Sequence, residues 1–222
     1  MSEHCCPAPA PSADPRYRRI LWIALFVNVA MFAVELAASA ISGSAALAAD
    51  AVDFAGDAAN YGLSIAAIAA GGVWVSRAAF AKGLAMGAFG IGVLVFCAWR
   101  IATGAAPEPI TMGIVGSVAL AANLLVAWML YAYREGDANM RSVWLCTRND
   151  ALGNLAVLAA AAGVFGTGSF WPDVAVAALM ASLALHSAAS VVSQSRREIA
   201  AHRRRPGNDS GSVTAALRIG AS

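Results

Sequence analysis

Charge is what this chain of 222 residues has least of: only 13% of it is Asp, Glu, Lys or Arg, against 59% hydrophobic residues, and its mean hydropathy is +0.65. Soluble domains carry about 25% charged residues, so an ordinary water-soluble fold is excluded and an integral membrane protein is expected. Cysteines are few and unpatterned. Cys5, Cys6, Cys97 and Cys146 show no framework spacing, which excludes a disulfide scaffold. The chain also lacks a nucleophile–base pair, a phosphate-binding loop and a basic nucleic-acid face, so neither an enzyme nor a nucleic-acid partner is expected.

What the sequence does have is long apolar runs. Six segments, at roughly 20–41, 45–70, 80–102, 110–133, 142–165 and 170–193, approach the ~20 residues that a helix needs to cross the hydrocarbon core. Short breaks rich in turn formers or charge separate them: SGS at 42–44, SRAAFAK at 76–82, GAAPEP at 104–109, REGDANMR at 134–141 and GTGSFWP at 166–172. Backbone groups in lipid must be satisfied within their own segment, which leaves an all-α, six-transmembrane-helix bundle. The organisation predicted is a flexible tail over 1–19, a membrane domain over 20–195, and a short basic then disordered tail over 196–222.

Orientation follows from Lys and Arg. Arg16, Arg18 and Arg19, then Arg77 and Lys82, Arg134 and Arg141, and Arg196, Arg197 and Arg203 to Arg205 all fall on one side. Arg100 is the exception. By the positive-inside rule both termini are cytoplasmic, in a multi-pass protein of the cell's inner membrane. The first apolar stretch is too long, and too polar at Asn28 and Glu35, for a cleaved signal core.

The chemistry lies in the polar residues inside those runs. An ionised carboxylate at the bilayer centre costs about 2.5–3.5 kcal/mol on insertion scales, yet AADAVDFAGDAAN at 48–60 holds Asp50, Asp53 and Asp57. Asp53 and Asp57 stand one helical turn apart, with Asn60 and Ser64 continuing that face. Stacked carboxylates repel unless a cation or a proton lies between them. The fifth span offers a second pair: in LCTRNDALGN, Cys146 and Asp150 are again at i and i+4, followed by Asn154. Two such helices can converge on a four-ligand site of oxygen and sulfur, Asp53, Asp57, Cys146 and Asp150, which suits zinc or a softer metal such as cadmium better than calcium or magnesium.

The stretch ELAASAISGSAALAADAVDFAGDAAN resembles the first-to-second helix signature of the cation diffusion facilitator transporters: a Glu, a Ser-Gly-Ser turn, a Leu-Ala-Asp-Ala run and a His- or Asp-x-x-x-Asp pair. CTRNDALGN resembles the family's fifth-helix His-x-x-x-Asp motif. The resemblance covers all six spans. It implies that Asp53, Asp57 and Asp150 are metal ligands, with Cys146 at a position the family gives to histidine. A thiolate there shifts preference toward soft metals. The small C-terminal domain of most family members has no counterpart in this sequence, so a homodimer would form through the membrane helices.

Accessory roles are open. Asp50 is read as structural, capping or bonding near a helix start, or as lining the route to the site; Glu35 either pairs with a neighbouring helix or relays protons. Asn60 and Asn154 extend the two ligand faces. His4, Cys5 and Cys6 have the chemistry to capture a soft metal and raise its supply at the cytoplasmic mouth. Cys97 and His186 are read as packing residues, and Arg148 as reaching for the headgroups. The function expected is export of a divalent transition metal, Zn²⁺ or Cd²⁺, coupled to proton antiport, with the metal and protons as substrates, the lipid bilayer as partner and no further cofactor. The alternatives are a non-transporting membrane metal sensor or assembly factor, and a proton or small-cation pathway, in which a thiol would have no use.

Overall fold

The computed structural model describes residues 15–69, 73–133 and 138–204. For residues 67–69, 73, 138–149 and 203–204 it gives the helical backbone alone. These residues form six α-helices: α1 Pro15–Ser42, α2 Ala45–Ala69, α3 Val73–Thr103, α4 Pro109–Leu130, α5 Ala138–Thr167 and α6 Trp171–Arg204, with one turn of 3-10 helix at Tyr131–Tyr133. No strand occurs among the described residues. An all-α bundle is what the apolar runs required.

Five of the helices contain stretches long and apolar enough to cross a membrane: Pro15–Ser42, Trp74–Thr103, Pro109–Tyr133, Asp150–Thr167 and Trp171–His202. The sixth, α2, is long enough, but it carries the three carboxylates. It packs against α1, α3, α5 and α6, so its polar residues are turned to protein rather than to lipid. The outer faces are apolar instead: Phe26, Ile41, Trp74, Trp128 and Phe165 are all well exposed. Charge inside and large apolar groups outside is the pattern of a protein dissolved in hydrocarbon.

Helix ends explain the topology. The odd-numbered helices α1, α3 and α5 each stop at a glycine of positive φ, Gly43 (73°), Gly104 (66°) and Gly168 (63°), whose N–H donates back to Ser39, Arg100 and Val164 respectively. This is the left-handed C-terminal cap that glycine adopts without Cβ strain. The next helix begins within a few residues each time, so three tight turns gather at one end of the bundle. The start of α1 and the end of α6 lie at the other. Proline opens α1 at Pro15 and α4 at Pro109, where its missing N–H has no helical partner to lose.

Three boundaries differ from expectation. SRAAFAK at 76–82, expected as a break, lies within α3, because Ala, Arg and Lys are good helix formers and a fall in hydropathy is not a fall in helicity. For the same reason α6 continues past 193, through Arg196 and Arg197, to Arg204, and α1 begins at Pro15 within the expected tail.

Candidate functional site

α2 is divided along its length. Its first turns pack in an apolar cluster with Val93 and Cys97 of α3, Val157 and Val164 of α5, and Val174 and Ala177 of α6. Its second half borders a cavity of about 840 Å³ between α2 and α5 on one side and the paired helices α3 and α6 on the other. The cavity lies in the half of the bundle toward the chain ends, away from the tight turns.

Asp53, Asp57 and Asn60 line it from α2, Asp150 from α5, and Lys82 and Met86 from α3. Asp57 is 8% exposed and within hydrogen-bonding reach of both Asp150 and Asn60. Two carboxyl groups that close are compatible only with positive charge between them, a shared proton or a bound cation. Lys82 Nζ donates to Asn60 Oδ1. Its charge also acts on Asp57.

The structure therefore brings together three of the expected ligands in one cavity, two of them in contact. It does not draw them into a closed cage: among the described residues no group of three His, Cys, Asp or Glu side chains is arranged to hold a metal. The backbone of Cys146 lies on α5 one turn before Asp150, but its side chain, like that of Arg148, lies outside the described residues, as do His4, Cys5 and Cys6.

Of the accessory residues, Asn60 borders the cavity. Asn154 does not. Its Nδ2 donates to the carbonyl of Asp150 at 3.0 Å, with Oδ1 buried and unpartnered. Asp50 and Glu35 are buried against one another across α2 and α1, outside the cavity lining, and both oxygens of Glu35 lack a hydrogen-bond partner. Asp50 is thus well inside α2 and not the cap at its start. Cys97 is buried in the apolar cluster, as expected for packing. His186 is not: it is exposed on the outside of α6.

The cap of α2 is Asp173 of α6, which the sequence reading missed. Asp173 is fully buried and accepts hydrogen bonds from Ser44 Oγ (2.6 Å) and from the N–H groups of Ala45 (2.8 Å) and Ala46 (3.0 Å). A carboxylate there satisfies orphan donors and complements the helix dipole. The available signal was a buried-type Pro-Asp at the start of an apolar run, but no local pattern gives a partner about 130 residues away. Arg100, the exception to the charge count, is also tied to this end. It is buried, its guanidinium covers Gly43, and Nη2 donates to the carbonyl of Ala105 at 2.6 Å. Lys82, counted from sequence as a loop cation, belongs to α3 and faces the cavity.

A carboxylate-bearing central helix, shielded by membrane-length neighbours and bordering a cavity that acids from two helices line, defines a multi-pass membrane protein of the transporter class. The chain matches the cation efflux transmembrane domain over residues 21–200, and it belongs to that family, the cation diffusion facilitators. It is accordingly a membrane transporter of metal cations. No curated protein matches the chain.

Proposed function

We propose that the protein exports a divalent transition-metal cation, zinc or cadmium, from the cytoplasm across the inner membrane in exchange for protons. The observation that carries this reading is the meeting of Asp57 and Asp150, from α2 and α5, in a cavity that Asp53 also lines. Cys146, one turn before Asp150, is the fourth ligand. The basic residues near the start of α1 and the end of α6 support cytoplasmic termini, which makes the cavity half of the bundle the cytoplasmic half. Carboxylates and thiol bind metal only when deprotonated, so protons arriving from outside expel it. A pathway for protons or small cations alone is the second reading, favoured by the want of a closed three-ligand cage among the described residues.

Purified protein in proteoliposomes, with an internal metal indicator and an internal pH indicator, tests both. Metal uptake accompanied by opposite proton flux is expected for Zn²⁺ and Cd²⁺ and is lost in D57N and D150N. C146H should move preference from Cd²⁺ toward Zn²⁺, since cadmium gains more from a thiolate. Proton flux that ignores every metal of the panel would establish the second reading instead.

A further inference from the structure

Lys82 is the one lysine in the whole chain, and it lies in the cavity that the acids line. The side chain reaches from the third turn of α3 to Asn60 Oδ1 on α2. Asn60 is itself within hydrogen-bonding reach of Asp57, which also feels the lysine charge. Asn60 thus joins an ammonium to the carboxyl that meets Asp150. Lys82 shares the cavity wall with Asp53, Asp57 and Asp150. An ammonium on a four-carbon stem is compact and mobile. It can approach or leave a carboxylate pair by rotamer change alone.

We propose that Lys82 is a tethered cation that competes with the transported metal: it neutralises the Asp57–Asp150 end of the site when no metal is bound and withdraws when metal enters. This rests on Asp57 being a metal ligand. A dication a few ångströms from a retained ammonium would be repelled strongly in a cavity of reduced dielectric, so loading requires the lysine to move, and its return helps to eject the metal. The lysine is then a determinant of release as well as of affinity, which no inert filler of the cavity wall would be.

Isothermal titration of the full-length protein in detergent with Cd²⁺ or Zn²⁺, together with uptake kinetics in proteoliposomes, decides it. K82M and K82Q should bind metal about tenfold more tightly or better, with a lower KM and a lower maximal uptake rate; K82R, which keeps the charge, should stay near the wild type. Unchanged or weaker metal binding in both neutral variants, with D57N still abolishing binding, would overturn the competition alone. Wild-type binding in D57N would overturn the ligand reading and the competition with it.

Discussion

The two halves of α2 are built for opposite purposes. The first, from Ala45 to Val52, is fixed: its N-terminus is capped from another helix by Asp173 and its side chains fill an apolar cluster of alanines, valines and Leu47. The second, from Asp53 to Ser64, borders open space and carries the cavity-lining acids Asp53 and Asp57, with Asn60 and the lysine contact, while the remaining acid, Asp50, is buried in the first half. Small residues let the helices approach closely at the turn end, where van der Waals contact and buried hydrogen bonds hold a membrane bundle together. At the other end the same helix spends its length on groups that hydrocarbon rejects.

Substitutions in the two halves should therefore fail in different ways. The largest effect is expected at Asp57. D57A should abolish metal uptake while leaving the thermal midpoint in detergent unchanged or higher, because a buried carboxylate is retained at a cost in stability. A large fall in midpoint would mean that the cavity half is structural after all. D173A should do the reverse: it strands the buried Ser44 hydroxyl and two N–H groups and is expected to destabilise by about 1.5–3 kcal/mol, read as a lower midpoint, with uptake per folded molecule largely kept. Loss of uptake at full folding would show that the capped end takes part in the transport cycle.

Gly43 gives a smaller test of the fixed end. Its φ of 73° disfavours any side chain by about 1–2 kcal/mol, and a Cβ there would stand 2.7 Å from Arg100 Nη1. G43A should lower the midpoint less than D173A does, and G104A, whose Cβ would meet nothing, less again. If G104A proves the worse of the two, the Arg100 contact contributes little to the difference.

The smallest effect belongs to Glu108, the N-cap of α4. Hydrogen bonds from the Thr111 side chain and from the N–H groups of Thr111 and Ile110 hold its carboxyl below the ordinary range. A carboxyl whose folded pKa is depressed contributes stability above its unfolded value, about 4.3, and that contribution is lost as pH falls through the folded value. E108Q should therefore have a slightly lower midpoint than the wild type at neutral pH, and the gap should close on acidification below about pH 4. A gap that widens toward acid would reverse the assignment. Glu108 is fully exposed in its turn, so added salt should shrink the difference.

Most of the architecture was legible from local pattern. Apolar length gave six helices, and the Ser-Gly-Ser and Gly-Thr-Gly stretches marked turns that glycine conformation then required. The Asp53–Asp57 and Asp150 spacing was legible for the same reason: an i, i+4 pair on one helix is a property of one segment. Lys82 was not. Read along the chain it was one more cation near a low-hydropathy break, and only the continuation of α3 through 76–82 turned it into the cavity. Asp50 shows the converse: of the roles left open to it, capping falls to Asp173 instead, and Asp50 is buried beside Glu35.

By itself, then, the sequence determined what depends on periodicity and composition: an all-α membrane bundle, its turns, and which carboxylates share a helix face. Tertiary structure alone decided which faces meet. It set Asp57 against Asp150, Glu35 against Asp50, Asp173 under the start of α2 and Arg100 over Gly43, contacts between residues from 15 to about 130 positions apart. The physical reason is that in a bundle of apolar helices many pairings bury similar area, and the choice among them rests on where a few buried polar groups are brought together, a condition that no single segment can express.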